Sequence, residues 1–195
     1  RVVDGSRFEE YKPLYGASMV CGWSMIHGYP VGILGNNGPI YPKSAEKAAT
    51  FIQLCNKTNT PLIFLQNVTG FLVGKDFERQ AIIKKGSQMI NALSNSTVPH
   101  ITIIIGSSYG AGTYAMSGRA YDNRFTFLWP TAKIAVMGPK GAVEIIFRDD
   151  AKDINKVDAL TEDYRKKFAN PFVASSRGFI DDIILPKDTR KKVIN

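Results

Sequence analysis

Two cysteines in 195 residues are too few for a disulfide framework, and Cys21 and Cys55 both lie among apolar neighbours. They read as buried thiols in a reducing compartment, either cytoplasm or mitochondrial matrix. His27 and His100 are isolated and lack metal-ligand spacing, so both read as structural and no metal is expected. No apolar run approaches the ~18 residues of a membrane-spanning helix. An initiator Met and a charged-then-apolar leader are also missing, so the chain reads as a fragment or a processed product. No G-x-S-x-G elbow surrounds Ser107, Ser108 or Ser117, and no G-K-[ST] closes a phosphate loop. Asp181 and Asp182 are adjacent, which on a strand turns them to opposite faces rather than pairing them for acid–base work.

What is present is an ordinary globular composition, with 44% hydrophobic and 22% charged residues, enough for one sizeable core. The net charge of +8 fits either an anionic partner or a solvated surface. Basic residues are scattered, apart from Arg165 to Lys167 and the KDTRKK tail from Lys187. Without aromatic interleaving they do not resemble a nucleic-acid-binding sheet.

The opening 16 residues are turn-rich, with Asp4-Gly5 as a turn signal and Pro13 limiting any helix. YPVGILG from Tyr29 reads as a buried strand. The spacing of Ala48, Phe51, Ile52 and Cys55 predicts a helix over 44–56, capped by Ser44. PLIFLQN from Pro61 and HITIIIG from His100 are apolar runs typical of strands buried on both faces. A helix is expected over 76–94, weakest at Gly86, and another from about Thr113. Strands are expected at 125–129 and 133–137, and a helix at 141–147. A charged excursion covers 149–163, with a short surface helix at 162–168 and a last strand or edge segment at 178–186. Strands alternating with helices mean βαβ units in a largely parallel sheet, hence one layered α/β domain over residues 1–195.

The stretch IIIGSSYGAGTYAMSG, from Ile103 to Gly118, joins a strand to a helix through Gly106, Gly110 and Gly112. From Gly110 it fits only the relaxed dinucleotide pattern, and Pro130 and Thr131 stand where an acidic residue is expected about 20 residues on. A glycine turn entering a helix leaves main-chain N–H groups without intrahelical partners. Such groups can hold an oxygen that becomes anionic during reaction. Small residues at Ala111 and Gly112 would let a carbonyl approach closely. The alternative is that the glycines only permit a tight strand–helix connection.

VVDGSRFEEYKPLYG, GYPVGILGNNG, FIQLCNKTNTPLIFLQNVTGF, SYGAGTYAMSGRAY and WPTAKIAVMGPKGAVEIIF resemble the C-terminal half of the carboxyltransferase (beta) subunit of biotin-dependent acyl-CoA carboxylases. GNNG, FLQNVTGF and SYGAGTYAMSGRAY look like the methylcrotonoyl-CoA type. MGPKGAVEIIF, YRKKFANPF and RGFIDDIILP look more like the propionyl- and acetyl-CoA type, which leaves the acyl group open.

The resemblance implies a crotonase-like (ClpP/crotonase) fold and carboxyl transfer from carboxybiotin to the α- or vinylogous carbon of an acyl-CoA. It implies that the N–H groups of Ala111 and Gly112 form the biotin-side oxyanion hole, and that Gly110, Thr69, Gly70 and Phe71 border the biotin. For Phe71, core packing is the alternative. Arg7 and Phe8 are carried over as acyl-CoA neighbours. Biotin would arrive on a carrier, so the implied partners are an acyl-CoA, a biotin-carboxylase and biotin-carrier subunit, an N-terminal carboxyltransferase half absent from this sequence, and further copies in an oligomer. Two other readings stay open: a biotin-dependent acyl-CoA decarboxylase subunit and a non-catalytic assembly domain.

Overall fold

The computed structural model describes residues 2–148 and 154–194. Eight strands form one sheet in the order β1-β2-β3-β4-β5-β6-β8, with β7 also paired to β5. They are β1 (Glu9–Glu10), β2 (Met19–Ile26), β3 (Tyr29–Asn36), β4 (Leu62–Val68), β5 (His100–Tyr109), β6 (Phe125–Leu128), β7 (Lys133–Ala135) and β8 (Asp182–Ile183). From β3 onward every pairing is parallel, as the βαβ pattern predicts. The first two pairings are antiparallel, and β2 occupies a stretch with no predicted strand. Its signal was the two-residue loop His27-Gly28. Both residues adopt positive φ (51° and 80°), the geometry of a tight hairpin turn that matches strand twist.

Helices α1 (Pro42–Lys57) and α3 (Ile82–Ser94) pack together on one face of the sheet. Phe51, Ile52 and Cys55 from α1 and Met89 and Leu93 from α3 share a core there with Leu34, Phe64 and Val68. Cys21 and Cys55 are free thiols in that core. Burial pushes the Cys21 thiol up to about 12 and the Cys55 thiol to about 11, so both stay protonated. The opposite face carries a second core of Ile33, Ile63, Ile103 and Phe127. Period-two alternation along β3 and β4 divides their side chains between the two faces.

The helix expected over 76–94 is two, α2 (Lys75–Arg79) and α3, divided at Ala81, which takes a left-handed φ of 63°. Helix α3 runs through Gly86, where a Cβ would meet the Phe71 ring at 3.0 Å. Downstream come α5 (Pro139–Ile146), α6 (Ile154–Phe168), α7 (Pro171–Ser176) and α8 (Thr189–Ile194). Helix α6 extends well beyond the short surface helix expected at 162–168. The part of the expected charged excursion at 149–153 lies outside the described residues. The expected last strand is the two-residue edge strand β8, beside β6.

Candidate functional site: the turn between β5 and α4

Parallel strands β3, β4, β5 and β6 end on the same side of the sheet, the side where open α/β sheets bind ligands. There β5 runs straight into α4 (Gly110–Ala115), which starts three residues earlier than predicted. Gly110, Ala111 and Gly112 are therefore its first turn. Among the described residues neither the Ala111 nor the Gly112 N–H has a partner outside the helix, and neither has a carbonyl four residues back within it. Ala111 is exposed and Gly112 is buried.

Each glycine of this stretch has its own steric reason. Two steps along β4, from Gln66 to Val68, face four along β5, from Ile104 to Ser108, so β5 bulges before the turn. In that bulge a Cβ on Gly106 would lie 2.2 Å from the Asn67 Oδ1, which accepts from the Ser107 N–H at 3.0 Å. Gly110 has φ +59°, in the left-handed region. A Cβ on Gly112 would meet Val68 Cγ2 at 2.6 Å and Gly70 Cα at 3.1 Å. The missing Cβ of Gly112 thus admits β4 and the loop after it. Ala111 keeps its open side.

The same close approach brings the second predicted segment to the turn. After β4, the Gly70 carbonyl accepts from the Ile40 N–H at 3.1 Å, and the Leu72 N–H donates to the Ile40 carbonyl at 3.2 Å. This bridge fixes Thr69–Phe71 beside Gly112. The Phe71 side chain is half-buried, packed on the α1/α3 core and against Gly86. Arg7 and Phe8 lie elsewhere: they precede β1, and β2, β3 and β4 separate β1 from β5. Phe8 covers Gly22 on β2, and the Arg7 carbonyl accepts from Ser24 Oγ.

A cavity of about 400 Å³ opens beside the turn. Gly110, Thr113 and Tyr114 form one wall, Ile134 and Val136 another, and Phe168 and Phe179 close it from the C-terminal segments. Among the described residues no His/Cys/Asp/Glu group could hold a metal ion. The two adjacent aspartates serve separate partners: Asp181 holds Arg119 at 2.6 Å and the Thr126 N–H at 2.7 Å, while Asp182 holds Lys192 at 2.7 Å.

The mixed α/β sheet with helices packed on it is the fold of a crotonase-like domain. The chain belongs to the carboxyl transferase domain family, which matches residues 1–195. It is 50% identical to a probable biotin-dependent acyl-coenzyme A carboxylase beta2 subunit of Mycobacterium tuberculosis, over 97% of this chain and 38% of the relative. It is 45% identical to the mitochondrial methylcrotonoyl-CoA carboxylase beta chain of Dictyostelium discoideum, over 99% of this chain and 35% of the relative. Among solved structures, the beta subunit of Pseudomonas aeruginosa geranyl-CoA carboxylase superposes with a TM-score of 0.90 at 42% identity, covering 99% of this chain and 38% of that one. Transcarboxylase 12S superposes with a TM-score of 0.92 at 37% identity, covering 98% of this chain and 38% of that one. The chain thus spans well under half the length of these relatives. Among the described residues no helix is long and apolar enough to cross a membrane.

Proposed function

We propose that residues 1–195 are the C-terminal-type half of a carboxyltransferase and supply the biotin-side oxyanion hole for carboxyl transfer to an acyl-CoA. The observation that carries this is the pair of unpaired N–H groups on Ala111 and Gly112, beside Thr69 and Gly70, in a chain of the carboxyl transferase family. Carboxybiotin is a substrate here, delivered on a carrier protein. When bound it would supply the carboxyl group for the acyl-CoA α- or vinylogous carbon and, at the ring nitrogen that gives up that carboxyl, the base for the proton of that carbon, with the Ala111 and Gly112 N–H groups facing its ureido oxygen.

The chain's own residues fit that substrate. Negative charge develops on the ureido oxygen, and two preorganised donors stabilise it without reorganising. The exposed face of Ala111 leaves room for a carbonyl, and the cavity bordered by Gly110 offers apolar walls to a ring system. No protein base is required, which agrees with the separate partners of Asp181 and Asp182.

The acyl thioester would sit in an N-terminal-type half, so the isolated chain should transfer little. The chain's 38% share of its Mycobacterium tuberculosis relative supports this division. A hexamer is described for transcarboxylase 12S, and oligomeric assembly with a biotin-carboxylase and biotin-carrier partner belongs to the same proposal. So does residence in the cytoplasm or mitochondrial matrix, which suits two free buried thiols.

The test is Ala111→Pro in a complex reconstituted with an N-terminal-type half and a biotinylated carrier. Proline deletes the donor itself and is tolerated in a first helical turn. Carboxyl transfer should fall by at least ~10²-fold, the effect of losing one oxyanion donor. Ser107→Ala should stay within about twofold, since no nucleophile is assigned there. Full transfer by Ala111→Pro, or its abolition by Ser107→Ala, would sink the backbone-donor reading.

A further inference from the structure

The six-residue helix α4 has little apolar surface of its own, with Ala115 its only buried side chain. Its placement comes instead from polar side chains of the sheet beneath it. Gln66, on β4, has no exposed surface. Its Nε2 donates to the Met116 carbonyl at 2.6 Å and to the Thr113 carbonyl at 3.2 Å. Its Oε1 accepts from Ser108 Oγ at 2.6 Å, and Ser108 Oγ is 2.9 Å from Thr113 Oγ1. Thr102, on β5, donates to the Ser117 carbonyl at 2.6 Å, just past the helix end. Neighbouring strands therefore hold the C-terminal half of α4, and buried hydrogen bonds of this kind are costly to leave half-made.

We propose that Gln66 and Ser108 are positioning residues for carboxyl transfer: they lock the register of α4 against β4 and β5, and so set where the Ala111 and Gly112 N–H groups stand. This rests on the reading of the turn given above. The amide of Gln66 is suited to the task because it donates twice and accepts once in a fixed plane. A hydrophobic residue of similar size would fill the space and leave the helix free to shift. A misplacement of about 1 Å costs up to ~10²-fold in rate when the reacting groups depend on alignment.

The experiment compares Gln66→Leu, Ser108→Ala and the double variant in the reconstituted complex. Each single variant should lower kcat by about tenfold or more while KM for the acyl-CoA stays within about twofold. Amide protection at Met116 and Ser117, which donate to the Gly112 and Tyr114 carbonyls, should fall, while protection in α1 and α3 is unchanged. Ser108→Ala orphans the Gln66 oxygen, and Gln66→Leu in the same chain removes that oxygen. Gln66→Leu also leaves the Met116 and Thr113 carbonyls without their donor, so the double variant should melt no higher than Ser108→Ala and remain slow.

If transfer recovers together with melting temperature in the double variant, the network only stabilises the fold and the proposal is wrong. Unchanged protection at Met116 and Ser117 in Gln66→Leu overturns it as well, whatever the rate. Failure of the donor reading is separately visible, as full transfer by Ala111→Pro with the protection changes in Gln66→Leu still present.

Discussion

The six residues of α4 and the fifteen of α6 are anchored by different means. Beneath α4 lie three buried side chains, Gln66 on the distant strand β4 and Ser108 and Thr102 on β5, the strand that leads into it. Helix α6 packs against α5 and also carries local supports on itself. Glu162 holds Arg165 at 2.8 Å and Lys166 at 3.7 Å, Asp163 holds Lys167 at 2.9 Å, and the Tyr164 and Phe168 rings meet at 4.9 Å. A basic last turn also complements its C-terminal dipole. A helix too short to be stable alone can be aimed by its surroundings, because nothing in its own sequence competes for its position. A helix built on local pairs is insensitive to a single substitution.

The sharpest way to break this contrast is at the contact between α4 and β4. Gly112→Val would drive a stiff branched side chain into Val68 and the Gly70 main chain. Overpacking of this kind costs ~1–3 kcal/mol, so thermal melting should drop by several degrees and transfer should fall with it. Gly110→Ala makes the instructive partner. Its Cβ has space, with Val136 O at 3.5 Å as the nearest atom, but φ +59° is strained for alanine at ~1–2 kcal/mol. It should cost less than Gly112→Val. Equal melting temperatures would mean that the close approach of α4 to Gly70 is not tight.

A smaller effect should come from pH. His100, buried and hydrogen-bonded to Ser117 at 2.9 Å, anchors the far end of α4. Burial lowers its pKa below the ordinary 6.5; Asp122 opposes that shift and Arg124 adds to it. Below about 6.5 the unfolded chain takes up this proton more readily than the folded one. Stability contributed by neutral His100 is thus present above 6.5 and is lost as pH falls through 6.5 toward the folded value. Melting curves between pH 7.5 and pH 5 should decline more steeply for the wild type than for His100→Asn, which cannot titrate. Parallel curves would remove His100 as the source.

The least effect is expected from Glu162→Gln on α6. Its carboxyl is held below the ordinary range chiefly by the hydrogen bond from Arg165, but the pair is exposed and screened. Neither melting temperature nor transfer should separate from the wild type. A clear loss of transfer would show that α6 takes part in placing the site.

Much of the scaffold was legible because local signals and tertiary need coincided. Pro61 and Pro99 bound apolar runs that became β4 and β5, and Ala48, Phe51, Ile52 and Cys55 line the buried side of α1. Strand β2 was missed because Gly22 and Ser24 interrupt its apolar pattern, although its partner β3 runs beside it over eight residues. The break at Ala81 was missed because alanine carries no signal for a left-handed residue. At the site, the glycine turn and the segment Thr69–Phe71 were both legible as motifs. Gln66 was not, since its partners stand 42 and 50 residues away.

By itself, then, the sequence determined that a run of apolar strands would end in a turn with little side chain, because glycine and alanine alone leave main-chain N–H groups open there. Only the tertiary structure decided what each glycine is for. Gly106 yields to Asn67, Gly110 turns the chain, and Gly112 yields to Val68 and Gly70. The reason is physical: a missing Cβ is the same in every glycine, and its meaning depends on the atoms that fill the space it leaves, which come from strands and loops brought near only by folding.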